Sequence, residues 1–267
     1  MSKTIFELEN LSYSYLNKFP ALVNINLKIE SGEKVALLGA NGTGKSTLLH
    51  ILDALVFPDT GRIRFFGRDL NENAFNDEKF SREFRRRVGL VFQSPDVQLF
   101  CPTVKEDIVF GPLQLGVTQN EIKKRMDRLI EILNIRDFIN RQPHQLSVGE
   151  KKKVSIASVL IIEPEVLLLD EPTAGLDPAT CRQLLDLIDD FHAQGKTVIT
   201  ATHDLHMVPE LAEGLRILNK ERTITADGSC QEILANQDLL KQNNLVHIHK
   251  HRHDGSWHKH PHQHSPT

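Results

Sequence analysis

Cysteine is scarce in this chain, and the three present, Cys101, Cys181 and Cys230, are far apart and odd in number. They offer neither a zinc spacing nor a disulfide framework, so a reducing compartment is the simple expectation. Long apolar runs are missing too. Stretches such as Val159–Ile162 and Val166–Leu169 stop at four residues, far short of the roughly 20 that a membrane helix needs. A membrane role would have to come through a partner. The opening MSKTIFELENLSYSY lacks the apolar stretch of a secretory signal. Positive charge is not in excess either, since 32 Lys and Arg stand against 35 Asp and Glu, a net −3. No global basic field argues for nucleic acid, and no internal repeat is visible. The rest is ordinary for a globular protein, 25% charged and 40% hydrophobic over 267 residues. That length allows one large α/β domain with a small appendage.

The most informative stretch present is Gly39-Ala40-Asn41-Gly42-Thr43-Gly44-Lys45-Ser46. It fits G-x-x-x-x-G-K-[ST], the phosphate-binding loop, and its flanks suit it. Lys34–Leu38 (KVALL) reads as a buried strand, and Thr47–Leu55 has apolar residues at helical spacing. Glycines let the backbone wrap and aim N–H groups at phosphate oxygens, and the helix N-terminus adds partial positive charge. Lys45 suits the β- and γ-phosphates, and Ser46 suits Mg²⁺. Residues 39–47 are therefore the candidate nucleoside-triphosphate-binding segment, with Mg²⁺ as the expected ion.

Around it, residues 3–30 alternate in the manner of half-buried strands, and Arg62–Phe66 reads as another strand of that antiparallel layer. Val88–Phe92 is a short apolar strand ending at Gln93. Residues 104–160 are mostly helical by pattern, with a capping box at Thr118-Gln-Asn-Glu121. Strands follow at Val166–Asp170, Thr197–Thr202 and Leu215–Leu218, with a helix over Ala179–Gln194. Strands alternating with helices imply a parallel sheet, interrupted by an inserted helical subdomain at about 95–160.

Val166–Asp170 ends in two acids, Asp170 and Glu171. Asp170 suits the Mg²⁺ shell, and Glu171 suits deprotonating the water that attacks the γ-phosphate. On its own Asp170 could equally cap the next turn, before Pro172. Leu146-Ser147-Val148-Gly149-Glu150 precedes a helical pattern, so it is either a second anion site or an ordinary N-cap.

In order along residues 4–225, the phosphate loop, Gln93, LSVGE, VLLLDEPTAGLDP and the lone His203 resemble the ATP-binding subunits of ABC transporters. The resemblance implies a RecA-like P-loop α/β core with an N-terminal antiparallel β layer and the inserted helical subdomain. It implies Tyr15 as the aromatic on adenine, with Tyr13 a near competitor. Gln93 would link Mg²⁺ and the attacking water to the membrane partner, and His203 would contact the γ-phosphate. Ser147 and Gly149 would touch the ATP held by a second ATPase subunit, identical or paralogous, with Asp177 in the loop joining the two sites. Two positions depart from the common signature: Val148 replaces glycine and Glu150 replaces glutamine.

The run Phe92–Val117 looks like the ATPases of energy-coupling-factor importers. There Pro95-Asp96-Val97-Gln98-Leu99-Phe100 would meet the transmembrane coupling subunit. The implied protein sits peripherally on the cytoplasmic face of the cell membrane, with a coupling subunit and a substrate-binding membrane subunit. Its cargo would be cobalt or nickel ion, or alternatively a vitamin. Soluble ABC ATPases acting on DNA or ribosomes are a different class; those usually carry a long coiled-coil insertion or two cassettes.

After a short segment at 226–246, residues 247–267 hold eight of the thirteen histidines and little apolar content. A disordered tail is expected there. Its alternating His247, His249, His251 and His253 are candidate transition-metal ligands, as are His258, His260, His262 and His264.

Overall fold

The computed structural model describes residues 3–253 and 256–262. Two long strands, β1 (Thr4–Tyr15) and β2 (Phe19–Glu30), pair antiparallel because their apolar residues alternate along one face. After the fully buried strand β3 (Lys34–Leu38), strands β4 (Thr60–Phe65) and β5 (Arg68–Asp69) extend that layer in the order β2-β1-β4-β5. The expected N-terminal antiparallel layer is present.

The second sheet contains β3, β6 (Val88–Val91), β7 (Val166–Asp170), β8 (Thr197–Thr202), β9 (Gly214–Leu218) and β10 (Ile224–Ser229). Its order is β10-β9-β3-β8-β7-β6, parallel throughout except for β10, which pairs antiparallel with β9. Strands β3, β6, β7 and β8 are buried at every position. Continuous apolar runs, not alternation, mark them because both faces of a parallel sheet are covered.

Helix α1 (Lys45–Leu52) follows β3, and α2 (Glu72–Phe75) and α3 (Glu78–Arg87) lead into β6. Between the neighbours β6 and β7 the chain makes α4 (Val104–Gln114), α5 (Gln119–Leu133) and α6 (Val148–Leu160). These share one apolar cluster with a face of the sheet and with α7 (Pro178–Ala193). A second cluster fills the space between the two sheets. Thr118 caps α5 as expected, but the box is only half made: Glu121 turns to Arg125 one helical turn on, at 2.9 Å, instead of back to the cap.

Two expectations need correcting at the C-terminal end. The sheet does not stop at 225: β10 runs to Ser229. Helices α8 (Val208–Leu211), α9 (Cys230–Ala235) and α10 (Gln237–Gln242) bury Cys230, Ile233, Leu240 and Leu245 against β9. The apolar spacing of Ile233, Leu240 and Leu245 gives this segment a face to bury. The stretch expected to be disordered instead pairs its backbone as strands β11 (His247–His253) and β12 (Ser256–His262). Its strict alternation of histidine with other residues has the period of a strand, which low apolar content alone does not reveal.

Candidate functional site

Four adjacent parallel strands, β3, β8, β7 and β6, end at the same edge of the sheet. Open α/β sheets place ligands at that carboxyl edge. Each strand there hands over to one motif: β3 to the glycine loop, β8 to His203, β7 to Glu171 and β6 to Gln93. Motifs scattered over 160 residues of sequence thus meet in one cleft of about 510 Å³, a volume within the range of small-ligand sites.

Tyr15, Asn41, Gly42, Gly44, Lys45, Ser46, Thr47, Gln93, Glu171 and His203 line this cleft. Gly39, Ala40 and Thr43 lie behind the lining: the Thr43 hydroxyl donates to the Ala40 carbonyl at 2.9 Å. Two glycines are required by space. A Cβ on Gly39 would lie 2.5 Å from the Leu218 carbonyl oxygen, and one on Gly44, at φ +100°, 2.3 Å from that of Ala21. Tyr13 is set apart from Tyr15: it packs on the apolar cluster, whereas Tyr15 opens to the cleft with its hydroxyl 3.1 Å from Thr47 Oγ1.

The floor is charged and buried. Lys45, only 6% exposed, donates to the carbonyls of Gly39 (2.8 Å) and Ala40 (3.3 Å) and stands 3.7 Å from Glu171. Burial pushes its pKa down, opposed by the nearby Glu171 and Asp170. Glu171 Oε1 is 2.8 Å from His203 Nδ1, and its Oε2 accepts from Thr202 at 3.3 Å. Glu171 also holds a left-handed backbone, φ +44°, uncommon for a residue with a side chain. The Ala201 carbonyl accepts its N–H at 2.9 Å, so the turn is tied to β8. Such strain is kept where surrounding structure enforces it.

Asp170 is buried beside it with one carboxylate oxygen, Oδ1, lacking any hydrogen-bond partner among the described residues. Burial raises its pKa, and the neighbouring Ser46 hydroxyl works against that rise. An orphaned carboxylate oxygen next to a hydroxyl is a hard donor set of the kind Mg²⁺ takes. Both residues fit that ion.

Ser147 and Gly149 do not line the cleft. Ser147 is the exposed N-cap of α6, in a full capping box: it receives the Glu150 N–H (3.3 Å), and Glu150 receives the Ser147 N–H (2.8 Å). The serine hydroxyl thus accepts the Glu150 N–H and is hydrogen-bonded to the Glu150 carboxylate. Glu150, where the common signature has glutamine, is the reciprocal half of the box, and the Ser147 hydrogen bonds hold its pKa down. S-x-x-E was readable in the sequence. Val148, the other departure, is 58% exposed on the same end of the helix. Asp177 caps α7, accepting from Ala179 and Thr180.

Sequence reasoning missed Phe19, Pro20, Ala21 and Arg222 in the cleft wall, since neither the start of β2 nor the connection after β9 carries a motif. It also placed Gln98 at the surface. The Gln98 amide instead faces inward to Ser155 and Ser158, leaving Val97 and Phe100 exposed. Of the tail histidines, His264 lies outside the described residues, and so do the side chains of His247, His249, His251, His253, His258, His260 and His262.

A family model described as "ABC transporter" matches residues 22–174. The chain is similar to the nickel import ATP-binding protein NikO of Rhodobacter capsulatus, at 46% identity over 90% of this chain and 95% of that one. It is similar also to the energy-coupling factor transporter ATP-binding protein EcfA of Methanothermobacter thermautotrophicus, at 41% identity over 90% of this chain and 76% of the relative. Among solved structures, cbiO1 of Clostridium perfringens, part of the ABC transporter complex cbiONQ, superposes with a TM-score of 0.75. Its identity is 37%, covering 91% of this chain and 95% of that one. No described helix is long and apolar enough to cross a membrane. The chain therefore belongs to the ABC transporter ATP-binding family and is one of its ATPases.

Proposed function

We propose that this protein is the ATP-hydrolysing subunit of an energy-coupling-factor importer, and that its cargo is nickel or cobalt ion. The setting of Glu171 carries the reading of the chemistry: a buried, strained carboxylate held by His203 and Thr202 and facing Lys45 across a phosphate-sized floor. In this reading Lys45 neutralises the β- and γ-phosphates, and Ser46 and Asp170 hold Mg²⁺, which offsets phosphate charge. Glu171 orients and deprotonates water, and His203 holds Glu171 in place. Gln93 reaches the site from β6. Tyr15 covers the adenine. Ser147 and Gly149, outside the cleft, complete the site of a second subunit.

Two apolar residues of the Pro95–Phe100 segment, Val97 and Phe100, are each 68% exposed, and Phe100 meets Phe110 edge-on with centroids 5.0 Å apart. With Leu113 exposed as well, this patch suits a transmembrane coupling subunit. The nickel assignment is supported by the relative NikO and by the histidine-rich tail.

Purification of the full-length protein from native membranes tests the reading. A transmembrane subunit should accompany it. Replacing Val97 and Phe100 together by alanine should cut its recovery about tenfold, the loss of one aromatic anchor at an interface, with KM for MgATP unchanged. An ATPase that brings no membrane protein sinks the transporter reading. Uptake of a labelled vitamin in place of nickel or cobalt overturns the cargo alone.

A further inference from the structure

Helix α6 carries Ser147 at its start, and one turn further it carries a lysine with an unusual environment. Lys152 is 2% exposed, yet among the described residues it forms no ion pair. Its ammonium donates instead to two backbone carbonyls, of Phe92 at 3.0 Å and Gln93 at 3.2 Å. Burial drops its pKa to about 8, with the Asp170 and Glu171 charges opposing the fall. A buried cation is costly to keep, and an apolar residue of similar volume is usually no less stabilising. The bonds it makes give it a purpose.

Gln98 makes the reciprocal connection. Its Oε1 accepts the Phe92 N–H at 3.2 Å, while its Nε2 donates to the Ser155 carbonyl (2.7 Å) and to Ser158 Oγ (3.0 Å), both on α6. Phe92 is the first residue after β6 ends at Val91. Its carbonyl is therefore held by α6 directly through Lys152, and its N–H by α6 through Gln98. A third link, Lys151 to Asp96 at 2.6 Å, lies at the surface and adds little. The backbone that presents Gln93 is thus bonded to the signature helix where it leaves the sheet.

We propose that Lys152 and Gln98 form a latch that makes the Gln93 loop and α6 move as one body. Gln93 then comes to the ATP of its own cleft in the same motion that brings Ser147 to the ATP of the second subunit. The latch couples the two nucleotide sites inside a single chain. Lys152 is a positioning residue, acting through Gln93 and touching neither nucleotide. This inference rests on the two-site reading given above.

Kinetics of the full-length dimeric protein with MgATP separate the possibilities. Lys152→Met keeps the aliphatic stem and removes the donors. We expect kcat to fall at least about tenfold, since small misplacements of catalytic groups cost up to about a hundredfold, while KM for MgATP stays within about twofold. Lys152→Arg, which restores donors, should recover part of the loss, and Gln98→Leu should reproduce the Lys152→Met defect. A fall in KM and Tm together with kcat, and equal by Met and Arg, would show Lys152 to be a packing residue only and overturn the proposal. So would unchanged kcat in Lys152→Met. Wild-type protein that never forms an ATP-bound dimer would instead sink the two-site reading on which the latch depends.

Discussion

The floor of the nucleotide cleft and the start of α6 are built in opposite ways. On the floor, Lys45, Asp170 and Glu171 are buried, and Glu171 is bonded to His203 and Thr202 within the same subunit. At the start of α6, Ser147 and Val148 are exposed, and Ser147 is held only by its own capping box. The first arrangement is assembled before any ligand arrives, so little reorganisation is needed at the moment of reaction. The second is a helix start aimed at solvent, with nothing of its own cleft in front of it. In the function proposed above, such a chain supplies the floor to one nucleotide and the lid to another.

Breaking the floor should have the largest effect. Glu171→Gln preserves shape and most hydrogen bonding but removes the base. Steady-state phosphate release should fall by at least about a hundredfold, while ATP binding survives and an ATP-bound dimer accumulates. Gel filtration with MgATP reads the dimer directly. Adding Ser147→Arg to that background should abolish the trapped dimer while single-subunit ATP affinity stays unchanged, because only the lid has been damaged. Normal turnover by Glu171→Gln would remove Glu171 from the chemistry.

Legibility in the sequence follows the same division. Asp170, Glu171 and Gln93 were readable because each lies at or just past the end of a short apolar strand, and Lys45 because it closes the glycine loop that follows one; strand ends of a parallel sheet converge on one edge. The assembly of four distant motifs into one cleft came from topology that apolar alternation and helix spacing already implied. Phe19, Ala21 and Arg222 were not readable: the start of β2 and the connection between β9 and β10 bring them to the cleft, and neither carries a motif. Gln98 was misplaced for a different reason. A polar residue between two exposed apolar ones reads as surface, and only the unbonded Phe92 N–H and the Ser155 carbonyl call it inward. In the tail, composition argued for disorder and period argued for a strand, and the period won.

A smaller effect sharpens the contrast between buried and exposed carboxylates. Asp53, at the end of α1, is buried against Arg85, with 3.4 Å between Arg85 Nη1 and Asp53 Oδ2. Burial outweighs the Arg85 charge and lifts its pKa from 3.8 to about 7. An acid whose folded pKa is raised binds its proton more tightly in the native state, so the native state is favoured most below the unfolded pKa. Between about pH 4 and 7 stability should therefore fall as pH rises, by up to about 1.4 kcal/mol per pH unit from this group. Glu150 has the opposite sign: its lowered pKa makes the α6 cap strongest at neutral pH and weaker as acid is added. Thermal unfolding of Asp53→Asn from pH 4 to 8 should show a flatter profile than the wild type. An identical slope in both would place the pH dependence elsewhere.

The smallest effect on ATP chemistry is expected from the tail, and that insensitivity is what makes it informative. All the cleft residues lie before residue 223, so removing residues 247–267 should leave kcat within about twofold. The backbone pairing sets His247 opposite His262, His249 opposite His260 and His251 opposite His258. Directly opposed positions are the nearest neighbours across an antiparallel pair. Neutral imidazole is a good ligand for Ni²⁺ and Co²⁺, and protonation below about pH 6.5 competes with the metal. Calorimetric titration of Ni²⁺ into full-length protein at pH 7.5 should give binding that weakens steadily toward pH 5.5 and is absent from the truncated chain. Exchanging His249 with Lys250 alone keeps the composition but moves that histidine off its position opposite His260. If the exchanged protein binds as tightly as the original, the histidines act as a loose collection and their register is irrelevant. If the truncated chain binds equally well, the tail is not the metal site, and a metal cargo is left resting on the likeness to NikO alone.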